Sequence, residues 1–252
     1  NADIIFLQEV DKDSKRSFNI NQHEYLISGE DMVSAFAYNY KCDYVPYPIP
    51  ALGKINSGIL TASDFKTKTA SRVSLPVPFK WPVSTCNLKR CLLIERIPLN
   101  NSDKYLVLIN LHLEAYDDGK GKIAQTNLLT GILKEEYSKG NYVIAGGDFN
   151  QTFPQVDLSE KSPYKIKNPN YWTPGSLDKS LSTEGWQLVC DTSYPTCRLL
   201  NEPYDPESEN TQYYIIDGFI ISPNIELNSV KTINTKFEYT DHNPVLMNIT
   251  LK

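Results

Sequence analysis

A mixed α/β domain is the fold class this sequence predicts, on three observations. Short apolar runs bounded by turn residues recur along the chain, and an amphipathic helical stretch stands directly before one of them. The third is size: 252 residues, 40% of them apolar, suffice for one packed core, so a single domain is expected over 1–252.

In chain order, Asp3 to Val10 reads as an apolar strand delivering Glu9 near its end. Val33, Phe36, Ala37 and Tyr40 fall at three- and four-residue spacing and predict a helix. An aromatic, proline-rich piece from Tyr44 to Pro50 follows it. Asn56 to Thr61 is the next strand, with 65–75 as its hairpin partner, and Pro76 to Asn87 is a loop. Cys91 to Ile97 and Tyr105 to Leu113, rich in Leu, Ile and Val, flank the turn cluster Asn100-Asn101-Ser102-Asp103 and make a hairpin.

Ala124, Leu128, Leu129, Ile132 and Leu133 then mark an amphipathic helix that stops near Gly140. The strand Asn141 to Ala145 follows at once and ends on Gly146-Gly147-Asp148-Phe149-Asn150. Residues 152–211 interleave prolines with Tyr164, Tyr171, Trp172, Trp186, Tyr194 and Tyr204 and read as an irregular excursion over one end of the sheets. Tyr213 to Ser222 is a buried strand with Asp217 in its middle; 225–233 and 245–251 complete the set.

Charge narrows the function classes. With 25 basic and 30 acidic residues the formal net charge is −5, which argues against a sequence-blind nucleic-acid binder while leaving room for a local basic groove. No stretch approaches the roughly 18 apolar residues that span a bilayer, and no signal peptide opens the chain. The chain therefore reads as soluble, cytoplasmic or secreted. Five cysteines form no C-x-x-C metal pattern. Cys86 with Cys91, or Cys190 with Cys197, would suit an oxidising compartment, and buried free thiols suit a reducing one.

Chemistry concentrates in polar residues at strand ends. Gly146 and Gly147 permit a sharp turn and a close ligand approach, and Asp148 and Asn150 would share a side if the backbone stays extended. Such a pair can orient water and stabilise charge on a transferring phosphoryl group. An ordinary turn, in which both bond their own backbone, is the alternative. Asp217, inside an apolar run, requires a partner. His112 and His242, two of only three histidines, stand at strand ends beside Asn110 and Asp241, and a carboxylate behind an imidazole fixes its tautomer. His23 stands near no other such residue and reads as an ordinary satisfied histidine.

Gln8-Glu9, Asn110-Leu111-His112-Leu113, Gly146 to Asn150, Ile216-Asp217-Gly218-Phe219 and Asp241-His242-Asn243-Pro244-Val245, in this order, resemble the endonuclease/exonuclease/phosphatase superfamily (DNase I-like) over nearly the whole chain. The resemblance implies a four-layer α/β sandwich, two mixed β-sheets packed face to face with helices on the outside. It implies a Mg²⁺-dependent phosphoesterase, with Mn²⁺ as an alternative ion, that cleaves a phosphodiester or phosphomonoester of a nucleic acid, nucleotide, phospholipid or inositol phosphate with activated water. Glu9 would bind the metal, and Asp241 would support the metal or the histidine. Asp148 and Asn150 would orient the water, His242 would act as base or stabiliser with Asp217 behind it, and His112 and Asn110 would contact phosphate. Oxygen ligands, and few of them, suit Mg²⁺, which keeps waters of its own.

Phe79, Trp81, Tyr171, Trp172 and Arg198 are candidates for substrate contacts, while the acidic run from Asp205 to Glu209 disfavours a long polyanion nearby. Gly218 stands where the family often has an aromatic residue. Relatives also begin with an earlier strand that supplies an asparagine, so the natural protein is expected to continue upstream by about one strand and one helix, on the order of 30 residues. A non-catalytic phosphate- or protein-binding module on the same fold is the rival expectation.

Overall fold

The computed structural model describes residues 2–117, 119–159, 162–205 and 208–252. Pro206 and Glu207, within the acidic run noted above, lie outside the described residues. The chain forms two compact units, residues 1–147 and 148–252.

The first unit runs β1 (Ile4–Asp11), α1 (Gln22–Ile27), β2 (Val33–Val45), β3 (Gly53–Ser63), β4 (Thr69–Ser74), β5 (Cys91–Pro98), β6 (Tyr105–His112), α2 (Lys120–Ser138) and β7 (Tyr142–Asp148), whose last residue opens the second unit. β1, β3 and β2 form one antiparallel sheet in that order. β7, β6, β5 and β4 lie side by side in another. Ala37, Ile59, Cys91 and Leu93 pack together, so β2 and β3 face β5 across an apolar interior. Burying each large side chain of these strands, such as Leu92, Leu111 or Ile59, contributes about 1.5–3 kcal/mol. Helix α2 turns Leu129 and Leu133 inward, and its buried Glu136 accepts from Arg96 of β5 at 2.7 Å.

Two expectations fail here for physical reasons. Residues 33–45 are a strand, not a helix: the run is rich in Val, Phe and Tyr, which suit a pleated surface, and β3 supplies a ladder along it. β4 pairs with β5, from Thr69 opposite Arg96 to Ser74 opposite Cys91, because both edges of β3 are already taken by β1 and β2. The β5–β6 hairpin forms as expected, with Leu92 opposite Leu111. The 76–87 loop contains one 3-10 turn, Val83–Cys86.

The second unit holds β8 (Gln151–Thr152), β9 (Gly175–Ser176), β10 (Gln187–Val189), β11 (Cys197–Arg198), β12 (Tyr213–Tyr214), β13 (Asp217–Ile221), β14 (Ile225–Thr232) and β15 (Val245–Leu251). β14 and β15 pair antiparallel, as do β10 with β13 and β11 with β12. The 152–211 stretch thus carries short strands rather than none. The expected single strand 213–222 is two, because the backbone breaks stride between them: the Ile216 and Asp217 amides both donate to Thr196 Oγ1, at 3.0 and 3.2 Å. Asp217 therefore begins a strand instead of sitting inside one.

All five cysteines are free thiols, so neither expected pair is joined. Cys91 is buried beside Asn39, whose Oδ1 accepts from its Sγ at 3.1 Å, while Cys86 is exposed. Among the described residues no helix is long and apolar enough to cross a membrane.

Candidate active site

In the first unit the feature of interest is a bulge. Leu7 pairs with Leu60 and Val10 with Gly58, so Gln8 and Glu9 oppose the single residue Ile59. The extra residue separates two side chains that a regular strand would only alternate. Glu9 takes φ +54°, a conformation that is strained for any side chain with a Cβ, and its carboxylate is exposed. Gln8 donates from Nε2 to Asn110 Oδ1 at 2.8 Å. Asn110 is fully buried, and its amide also donates to the Leu60 carbonyl at 2.9 Å. Asn110 thus sets Gln8 and β3.

Arg16 grips Asp11 with two bonds of 2.9 Å, and its NH2 lies 3.6 Å from Glu9. Burial works against the Arg16 charge, but Asp11 and Glu9 outweigh it and the guanidinium pKa is raised. His112, at the end of β6, is buried and its carbonyl accepts from Arg90 at 3.2 Å. His23 stacks on Phe36 at 5.7 Å and pairs with Ser34, the structural role expected of it. One exposed carboxylate with hard oxygen donors fits an ion that keeps most of its waters. Among the described residues no three His, Cys, Asp or Glu side chains are grouped so as to hold a metal ion between them.

The glycine pair is required where it stands. Gly147 has φ +134°, and a Cβ there would lie 2.1 Å from the Leu111 carbonyl oxygen, so only glycine lets β7 turn this close to β6.

The second unit gathers the acid–base residues. After Asp148 the backbone does not stay extended: Asn150 has φ +50°, and its N–H donates to Asp148 Oδ1 at 2.8 Å. The two side chains still meet, Asn150 Nδ2 donating to Asp148 Oδ2 at 3.2 Å. The turn chemistry offered as the alternative reading is thus present, and it holds the pair together. The Phe149 amide donates to the Ile216 carbonyl at 3.0 Å, which fastens this turn beside the start of β13.

Asp217 finds its partner there. His242 Nδ1 lies 2.9 Å from Asp217 Oδ2, with the carboxylate mostly buried and about a third of the imidazole exposed. Burial disfavours the imidazolium, but the Asp217 carboxylate and Cys197 override it and hold the His242 pKa well above its ordinary value. The 241–243 segment is strapped to β11. Arg198 N–H donates to the Asp241 carbonyl at 2.9 Å and Asn243 N–H to Thr196 at 2.8 Å.

Cys197 is the residue that sequence reasoning missed. It is bridged to His242, and its buried thiol is pushed up to about 11, chiefly by burial, with His242 lowering it and Asp217 and Asp148 raising it. Cys197, His242 and Asp217 therefore stand together. Thr196, which fixes the Asp217 backbone, was missed too, since both stand in an irregular stretch with no periodic signal. Trp172 packs edge-on against Tyr214 at 5.0 Å, and Arg198 lies over the Tyr204 ring at 4.8 Å, so each has a structural neighbour of its own.

The model of the Endonuclease/Exonuclease/phosphatase family matches residues 1–242. No curated protein matches this chain. Among solved structures it resembles the endonuclease/exonuclease/phosphatase from Beutenbergia cavernae DSM 12333, with TM-score 0.63 and 16% identity over 99% of this chain and 62% of that one. It also resembles the human Nocturnin catalytic domain with bound sulfate, with TM-score 0.57 and 16% identity over 99% of this chain and 81% of that one. A third is TDP2 from Caenorhabditis elegans, with TM-score 0.55 and 16% identity over 97% and 63%. The chain thus spans less than two thirds of the length of the first and third of these.

Proposed function

Because the chain belongs to the endonuclease/exonuclease/phosphatase family, we propose that it is a hydrolase of phosphoric esters, Mg²⁺-dependent, that cleaves a phosphodiester or phosphomonoester by direct attack of water. The observation that carries the reading is the Asp217–His242 pair at 2.9 Å, with Asp148 and Asn150 in the same unit.

Asp217 fixes Nδ1 as the protonated nitrogen and leaves Nε2 to address the ester. The Asp217 carboxylate and Cys197 favour the protonated imidazole of His242, and in that form it would stabilise the negative charge that develops on the phosphoryl oxygens. Asp148 accepts a proton from the attacking water, and Asn150 aligns that water through its amide. Asp241 supports the metal or the histidine, and its main-chain carbonyl, which accepts from Arg198 N–H, straps this segment to β11.

Glu9 is the residue proposed to hold the ion, since its exposed carboxylate on the bulge is the kind of oxygen donor that Mg²⁺ takes beside water and substrate. When bound, such an ion neutralises charge on the transferring group and on the leaving oxygen. The solved Nocturnin domain carries a sulfate, a tetrahedral oxyanion of the same shape as phosphate, in keeping with a phosphoryl substrate here. A net charge of −5 favours a nucleotide, a short oligonucleotide or a lipid headgroup over a long polyanion.

The test is hydrolysis of bis-p-nitrophenyl phosphate and p-nitrophenyl phosphate with Mg²⁺ or Mn²⁺, and with EDTA. Release of nitrophenol that EDTA abolishes and His242→Ala removes is the expected result. Activity indifferent to both treatments would remove the assignment.

A further inference from the structure

Two cysteines far apart in sequence share one acceptor. Cys42 Sγ lies 3.5 Å from the Tyr44 carbonyl oxygen and Cys86 Sγ lies 3.8 Å from the same atom. Cys42 Sγ reaches the Thr85 carbonyl at 3.8 Å, and the Tyr40 phenol donates to the Cys86 carbonyl at 2.6 Å. The 3-10 turn Val83–Cys86 is therefore pinned to the end of β2 with both sulfurs side by side.

A disulfide requires sulfurs about 2.0 Å apart and Cβ atoms about 3.5–4.5 Å apart. The two sulfurs stand 3.5 and 3.8 Å from one carbonyl oxygen, and side-chain rotation can bring them together because Cys86 is exposed and Cys42 half-buried. Cys91, Cys190 and Cys197 are all buried, so this is the one cysteine couple at the surface.

We propose that Cys42 and Cys86 form a reversible regulatory disulfide, made by exchange with a low-molecular-weight disulfide such as oxidised glutathione. The exposed Cys86 thiolate attacks one sulfur of the small disulfide, whose S–S bond breaks and releases one thiolate. Cys42 then gives its proton to solvent and attacks the Cys86 sulfur, expelling the second thiolate. Two protein thiols lose two electrons, and one small disulfide gains them as two thiols.

The bond joins the end of β2 to the 76–87 loop, and both carry exposed apolar side chains, Tyr44 at the end of β2 with Tyr47 and Ile49 just after it, and Trp81 and Val83 on the loop. Closing it converts a hydrogen-bonded contact into a covalent tie and fixes that surface.

The test incubates the full chain with oxidised glutathione, blocks remaining thiols, digests without reduction and maps the peptides by mass spectrometry. A Cys42–Cys86 linked peptide that dithiothreitol releases is expected, with an oxidised Tm roughly 5–10 °C above the reduced one. Cys42→Ser should stop at a glutathione adduct on Cys86 and gain no Tm. Independent alkylation of both thiols, separate glutathione adducts on each, or linkage of Cys86 to a buried cysteine would overturn the pairing. A link with no Tm gain over Cys42→Ser would overturn the tie between the loops.

Discussion

Replacing Asp217 by asparagine keeps the shape of the side chain and removes its charge, so it isolates what the carboxylate does for His242. The pair is 2.9 Å long, and a hydrogen bond with a charged partner contributes about 1.5–3 kcal/mol. About a third of the imidazole is exposed, and solvent screening moves the expectation to the lower end, about 1.5–2 kcal/mol. In rate that is roughly 10- to 30-fold in kcat/KM. The assay is hydrolysis of bis-p-nitrophenyl phosphate with Mg²⁺, next to a Tm measurement that establishes folding. His242→Ala and the double variant complete a cycle, and if the carboxylate acts through the imidazole the two losses do not add. A folded Asp217→Asn protein within twofold of wild type, or strict additivity, would refute the reasoning.

Glu9→Gln should lose most Mg²⁺-dependent turnover at limiting metal while its Tm moves by no more than about 0.5 kcal/mol's worth, since the side chain is exposed and opens no cavity; wild-type turnover there would sink the ligand assignment. Gly147→Ala should lower Tm by roughly 4–8 °C, because a Cβ would press on the Leu111 carbonyl at φ +134°, and an unchanged Tm would contradict the close approach. Glu95 is buried, and burial raises its pKa against hydrogen bonds from Thr67 and Thr61. For an acid whose folded pKa lies above the unfolded one, stability is greatest below the unfolded pKa and declines as pH rises through the folded pKa. Glu95→Gln should therefore flatten the fall of Tm as pH rises above the ordinary glutamate pKa of about 4.3, whereas parallel profiles would contradict it.

Much of the second unit's chemistry was legible in the sequence because burial has a strict consequence for charge. Asp217 in an apolar run demanded a partner, and the resemblance to the family supplied His242 as that partner. The β5–β6 hairpin, helix α2 and the β14–β15 pair were equally legible from runs and turn residues.

Periodicity failed where two templates overlapped. Val33, Phe36, Ala37 and Tyr40 fit a helix's spacing, and what decides for strand is the ladder from β3, a long-range fact. The same holds for β4, whose partner depends on which edges remain open. The bulge that turns Glu9 outward, and the bridge that brings Cys197 to His242, depend on pairing register, which no local pattern encodes.

The central claim is that water attacks phosphorus directly, and the stereochemical course at phosphorus tests it. With a chiral phosphorothioate diester hydrolysed in ¹⁸O-labelled water and Mg²⁺, one in-line displacement predicts inversion of configuration. Retention, the mark of two displacements through a covalent enzyme intermediate, would contradict the account.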